Sequence, residues 1–503
     1  MKTTQRFLLV GGAILFGVGL TQCEVNTSET ADMTLPPEFD LAEVIPPDMA
    51  VPPDLSVQNP TLSAVVAARG PAAGGTAIVL TGTNFKVGAS VSIGGLAATG
   101  VVVVSGTTIN ATTPASTSYG AVDIVVNNKD GSMPATLTKG FTYFLGTFAL
   151  AAGADIATGL TNPRSISIVD LQGQGFPSIF TAVGNSIALL PNTTNGATPN
   201  MPTFGTPVVT GTGQAGSFQT AIGDMNADGT PDVVVTNFAN NNASVMVRVG
   251  ANTTPNLITS VTGGFNLPSF VAVADFDADG KQDIAVANQG GGLSVLAGSN
   301  DGKTFTAVAG SPFAMGTNYT PYGLAVGDFD GDKRPDLVIG NVFAGGNLRV
   351  LLSKSTGFSL QANLVSGNGP NVIGVGDFTG DGKLDIVAVN RAGGSVSMFK
   401  GDGAGGFSKV GADVAVGTGP EAVAVGDLNM DGFLDVVVPN YGSSNLHYLL
   451  GNGDGTFKTP VMINTGIQSN GVGIADFNKD GKPDVVITNG PGANVQVLRN
   501  TST

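Results

Sequence analysis

The sequence predicts an all-β protein, a seven-bladed β-propeller with calcium loops preceded by a small β-sandwich. Three observations predict it. An acidic ten-residue pattern recurs about every 50 residues, short runs of small or β-branched residues flank each copy, and the stretch ahead of the repeats alternates in short strands. A period in this range is the signature of propellers and solenoids. The 74 glycines and the absence of tryptophan suit many tight turns.

The pattern is clearest at residues 274–283, ADFDADGKQD, which place Asp275, Asp277, Asp279 and Asp283 at positions 1, 3, 5 and 9 of a loop with Gly280 at position 6. Carboxylates so spaced around a glycine turn can converge on one hard cation, and calcium suits that geometry best. Position 12 is Val286 and the flanks FVAVA and DIAVAN are short and β-branched, so the loop joins two strands and not two helices. The same pattern supplies Asp224, Asn226, Asp228 and Asp232; Asp328, Asp330, Asp332 and Asp336; Asp377, Thr379, Asp381 and Asp385; Asp427, Asn429, Asp431 and Asp435; and Asp476, Asn478, Asp480 and Asp484. A degenerate copy, VDLQGQGFPS, lies upstream at 169–178. From first acid to first acid, starting at Asp170, the intervals are 54, 51, 53, 49, 50 and 49 residues.

Each unit reads as four strands. The first is built of Ala, Gly and Val, as in AVAVG, which suits strands crowded around a central axis. The second, such as DVVVTN, is apolar at nearly every position, as in a sheet covered on both faces. The last unit stops at VQVLRNTST without a fourth strand, whereas LGTFALAA (145–152) has the pattern of one, so it is expected to pair beside 494–499 and close the ring. The asparagines ending the second strands (Asn237, Asn288, Asn341, Asn390, Asn440, Asn489) read as turn-formers that tolerate left-handed geometry.

On these motifs, residues 146–503 resemble FG-GAP/VCBS repeats, the calcium-loop propeller repeats also found in the head of integrin α-chains. Two departures from that pattern stand out. Gln172, Gln174 and Ser178 replace ligands in the first copy, which is expected to bind no metal, and Lys333 stands at the glycine position of the fourth, which would weaken it. Residues 59–145, with GPAAGGTAIVLTGTNF, VSIGG, INATTP, VDIVVNN and FTY, resemble an IPT/TIG immunoglobulin-like domain, more often a spacer than a ligand site.

The remaining segments speak of location. Lys2 and Arg6 precede the 14-residue apolar stretch Phe7 to Leu20, of secretory length, and LTQC resembles a bacterial lipoprotein processing site with Gln22 in place of the usual small residue. Residues 1–22 are thus expected to be a signal peptide and Cys23 a lipidated residue, with the protein exported and held at an outer membrane or cell surface by that anchor only. Residues 23–58, with eight acidic residues, no basic ones and three Pro-Pro-acid triplets, are expected to be a disordered tether.

The formal charge of −15 is matched by 20 aspartates at loop ligand positions, so acidity reads as a requirement for about six structural calcium ions. No basic patch points to nucleic acid. The face opposite the loops gathers Arg164, Phe238, Tyr319, Tyr322, Arg391, Glu421 and Tyr441 as candidate ligand-binding residues. The expected function is adhesion or recognition of an extracellular protein or glycan. The alternative is a polysaccharide lyase or hydrolase. Against that alternative, the single histidine, His447, falls within a third strand, and no catalytic residue stands out.

Overall fold

The computed structural model describes residues 58–502 apart from 147, 160, 172, 195–201, 249–256, 344 and 356. The expected signal peptide, Cys23 and nearly all of the tether lie outside the described residues.

Residues 61–144 form two sheets. One orders Thr61–Val66, Ala77–Thr83, Thr108–Thr112 and Thr99–Ser105; the other orders Arg69–Pro71, Ala135–Phe144, Gly120–Asn127, Ser90–Ile93 and Leu96–Ala97. Ala77–Thr83 alternates exposed and buried at every residue, the period-two pattern of a strand with one face in a core. Ile78, Leu80, Ile93, Ile109, Ile124 and Phe141 fill the interior. Tyr143 meets the ring of Phe141 edge-on at 5.0 Å and donates its hydroxyl to Pro114 O at 2.9 Å.

Beyond residue 149 the described residues form seven antiparallel sheets, each of four strands, one of them with the added two-residue strand Leu364–Val365. Their first strands, from Ser167–Val169 and Ser217–Gly223 round to Val472–Ala475, touch in sequence, and the last touches the first, which closes a ring. Small residues are needed at this axis. A Cβ on Gly223 would lie 2.5 Å from a methyl of Val273, and one on Gly376 would lie 2.4 Å from a methyl of Leu434. Neither approach is possible in a close-packed interior.

The second strands Asp232–Asn237, Asp283–Asn288, Asp336–Asn341, Asp385–Asn390 and Asp435–Asn440 are buried at every residue, because each sheet is covered by two neighbours. Val234 and Val245 of one blade pack with Val271 and Ile284 of the next, and this sharing repeats around the ring.

The asparagines ending these strands correct the sequence reading. None takes a left-handed backbone. Asn237, Asn288 and Asn390 are fully buried and donate to Ser244, Ser294 and Ser397 Oγ at 2.9, 3.0 and 2.9 Å, respectively. Asn440 meets His447 Nδ1 at 3.0 Å in the same way. They are polar staples, each donating its side-chain amide from the second strand to an acceptor on the third.

The final blade is completed from the other end of the chain. Leu150–Ala157 pairs antiparallel with Asn494–Asn500, so the strand lies later than the expected 145–152. Before it, Leu145 N–H donates to Asn429 O (2.8 Å) and Ala149 N–H to Ser502 Oγ (2.9 Å). Ile156 packs in the cluster of Phe477, Val495 and Ile179 that joins the last blade to the first. Ile156→Asp is therefore expected to cost about 2 kcal/mol or more by placing a carboxylate in that cluster. A melting temperature equal to wild type would refute this closure.

Candidate functional site

Two places gather chemistry, at opposite ends of the first strands. At one end lie the acidic loops. In the loop of blade three, Asp279 N–H donates to Asp275 Oδ1 (3.1 Å) and Gly280 N–H to Asp275 Oδ2 (2.8 Å), so position 1 organises the turn. The loops headed by Asp224, Asp377, Asp427 and Asp476 repeat both bonds. Lys333, at the glycine position of the Asp328 loop, takes the left-handed φ of 69° that glycine takes elsewhere and still donates to Asp328 Oδ2 at 2.9 Å. The departure leaves the turn intact.

Ligand atoms of Asp275, Asp277 and Asp279 lie within 4.8 Å of one another, as do those of Asp328, Asp330 and Asp332, and either triad could hold a metal ion. The donor set is all oxygen, the set a hard divalent cation takes. Where Asn226, Asn429 and Asn478 stand at position 3, each side-chain amide donates to the position-5 aspartate at 3.0 to 3.1 Å. Thr379 takes the same position in its loop. Lysines lean on several of these carboxylates: Lys354 on Asp330 at 2.6 Å, Lys400 on Asp381 at 3.0 Å, and Lys281 on Asp279. In the degenerate first loop, a lysine from the neighbouring blade arrives instead. Lys479 donates to Gln174 O and lies 4.2 Å from the ring centre of Phe176.

Position 9 has a task that the sequence reading did not assign. Asp283 is fully buried, and its two oxygens accept from Phe276 N–H (2.8 Å) and Gly298 N–H (2.9 Å), tying the loop to the third strand. Asp232, Asp336, Asp385, Asp435 and Asp484 make the equivalent pairs of bonds. Burial pushes Asp435 and Asp484 up to about 7, and Asp232, Asp283 and Asp336 up to about 6, against the pull of those N–H groups.

The sandwich sits on the loop of blade six. Arg69 Nη1 donates to Asp431 O at 2.7 Å, and its guanidinium lies 3.7 Å from the ring centre of Phe433. Asn429 and Asp431 are each only 4% exposed. Arg69→Ala removes a charged hydrogen bond and a cation–π contact, worth together about 2 kcal/mol. It is expected to loosen the sandwich, read as faster thermolysin cleavage near residues 145–149. An unchanged cleavage rate would refute the role of Arg69.

At the other end, six residues before each first acid, stand Arg164, Phe218, Ser269, Tyr322, Asn371, Glu421 and Asn470. The backbone bulges here in blades two to five. Such bulges re-aim side chains. Two cavities of 370 and 190 Å³ share Arg164, Phe218 and Tyr322. Phe238 lines the larger, and Arg391, Glu421, Phe270, Gln219 and Asn470 the smaller. Five of the seven candidate ligand residues thus meet at one mouth. Arg391 Nε donates to Glu421 Oε1 at 2.5 Å and Asn371 Nδ2 to Oε2 at 3.2 Å. Burial raises the Glu421 pKa, and Arg391 opposes the rise. Phe218 stacks on Phe238 at 5.8 Å and meets Tyr322 edge-on at 5.9 Å.

Two candidates do not join them. Tyr319 is 8% exposed, donates its hydroxyl to Ile339 O at 2.7 Å and belongs to a core cluster. Tyr441 lines neither cavity and is half-buried in the turn after Asn440. The sequence reading missed Phe218, Phe270, Gln219 and Asn470; aligning the units on their first acids and comparing the sixth residue upstream finds Phe218 and Asn470 directly and the immediate neighbours of Gln219 and Phe270. His447 is a packed strand residue whose pKa burial lowers.

Compared with known proteins, residues 224–286, 275–339, 377–438 and 427–487 match the FG-GAP-like repeat, and residues 60–143 match the IPT/TIG domain. No curated protein matches the chain. Solved structures similar to it include BBS1N in complex with ARL6DN (10% identity, 70% of this chain and 98% of that one, TM-score 0.47). A lectin of Agrocybe aegerita, described as recognising non-reducing terminal N-acetylglucosamine, is similar at 16% identity over 86% of this chain and all of that one (100%), with a TM-score of 0.44. An auxiliary nutrient binding protein of Bacteroides thetaiotaomicron is similar at 11% identity over 88% and 98%, with a TM-score of 0.38. None of these likenesses is close enough to bear on function. The family matches and the ring of sheets agree: this chain carries an IPT/TIG domain followed by a β-propeller of FG-GAP-like repeats.

Proposed function

We propose that the chain is an exported calcium-binding recognition protein that holds an extracellular protein or glycan at the propeller mouth opposite the acidic loops. One observation carries this reading. All seven units repeat the second strand and six repeat the acidic loop with its buried position-9 aspartate, yet the residue six before the first acid runs Arg, Phe, Ser, Tyr, Asn, Glu, Asn. A fold needs the repeated features; a ligand that breaks the ring's symmetry needs the varied ones. A rigid scaffold with a few differing side chains at a concave centre is the usual build of a binding site.

In this reading calcium fills about six loops and supports folding, with the oxygens at positions 1, 3 and 5 as its principal ligands. Catalysis forms no part of it. Burial raises the pKa of the Tyr322 phenol, which makes it a poorer base than a lyase would want. Among the described residues no helix is long and apolar enough to cross a membrane, and attachment is assigned to Cys23. Cys23→Ser is expected to release the protein from the membrane fraction; retention of the variant there would overturn the anchor.

A glycan and protein array probed with the calcium-loaded protein tests the function. Binding that Phe218→Ala abolishes supports the mouth. Binding that survives this change, or release of unsaturated product from an acidic polysaccharide, overturns the reading.

A further inference from the structure

Resting on the recognition reading, we infer that the mouth takes a carboxylate-bearing sugar, a uronic acid residue of an acidic glycan. The first ground is charge. In a chain of formal charge −15, two arginines face one glutamate at the mouth, leaving one positive charge in excess. Glu421 already has both oxygens engaged, by Arg391 and Asn371. Arg164 makes no ion pair among the described residues. Its guanidinium lies 5.0 Å from the ring centre of Phe218, with both cavities beside it. A planar cation fixed in this way, with donors to spare, matches the two oxygens of a carboxylate. Nearby Glu421 disfavours a dianion such as a phosphate monoester, because like charges at close range in a partly dry site repel.

The second ground is the rest of the lining. Asn162, Gln219, Gln289 and Asn470 present amides, which both donate and accept and so suit sugar hydroxyls. Phe218 and Tyr322 form an edge-on corner at 5.9 Å, and Phe270 stands 5.5 Å from Tyr322, giving apolar plates for the faces of a sugar ring. Tyr322 lines both cavities, and among the described residues its hydroxyl bonds to none, which leaves its donor for a ligand oxygen. The larger cavity, at 370 Å³, falls in the range of small-ligand pockets, roughly 300–1,000 Å³.

The test is calorimetric titration of the calcium-loaded full chain with trimers of galacturonate, glucuronate and mannuronate, a neutral galactose trimer, and a glutamate-rich peptide. At least one uronate trimer is expected to bind, about tenfold or more tighter than the neutral trimer, with affinity falling as salt rises. Arg164→Gln is expected to lose about tenfold or more of that affinity and Arg164→Lys to restore part of it, at unchanged melting temperature. If no uronate binds at millimolar concentration, or Arg164→Gln binds as wild type does, the inference falls. Equal binding of the neutral trimer, abolished by Phe218→Ala, overturns the acidic class and leaves recognition at the mouth standing. Binding of the peptide alone overturns the glycan in favour of a protein partner.

Discussion

Excess chelator is expected to lower the melting temperature of the propeller by on the order of 20 °C. A ligand at a hundred times its dissociation constant stabilises by about 2.7 kcal/mol per site. Six such loops would therefore contribute roughly 16 kcal/mol, and a domain of some 350 residues shifts by about 1–2 °C per kcal/mol. The direction follows from the loops themselves. In blade three, three carboxylates converge within 4.8 Å, and among the described residues the only cationic side chain that bonds to them is the single ammonium of Lys281. Like charges about 4 Å apart cost on the order of 4 kcal/mol at an effective dielectric of about 20. Thermal melts with and without chelator, followed by calcium titration, measure the effect. An unchanged melting temperature would mean that these are ordinary acidic turns held by their own backbone bonds.

Asp283→Ala, at position 9 of the same loop, is expected to cost about 3–5 kcal/mol in calcium and in chelator alike. It strips the Phe276 and Gly298 N–H groups of a charged acceptor in a fully buried place. Each such bond is worth about 1.5–3 kcal/mol. Asp279→Ala should behave differently. Asp279 is exposed, bonds mainly within its own turn and to Lys281, and sits in the converging triad, so its loss should matter in calcium and nearly vanish in chelator. Denaturant melts of both variants under both conditions separate the roles. If Asp283→Ala also becomes harmless in chelator, position 9 acts through the metal alone and the staple is refuted.

These two aspartates mark the limit of what local pattern can say. Their spacing is one motif, and spacing alone assigns both to the metal. Burial separates them: Asp279 stays near solvent, whereas Asp283 begins a strand covered on both faces and must spend its oxygens on backbone donors. The asparagines at the other end of the same strands were misjudged for the same reason. An Asn after an apolar run looks like a turn, and only the folded blade reveals that Asn237 and Asn390 are buried beside serines of its third strand.

What the sequence determined by itself is everything encoded within a few residues and then repeated. The period near 50, the loop aspartates at odd positions, the small first strands, the apolar second strands and the strand borrowed to complete the last blade are all legible, because each is a local preference stated several times over. Tertiary structure alone decided the mouth. Arg164, Phe218, Tyr322 and Glu421 stand roughly 50 to 100 residues apart and share one cavity only because the ring closes and a bulge turns the start of several first strands toward the axis. It also decided that Tyr319 faces the core, and that the sandwich rests through Arg69 on the loop of blade six. A backbone preference is set by near neighbours in the chain, whereas burial and convergence are set by residues that the fold brings close, and nothing in local spacing records them.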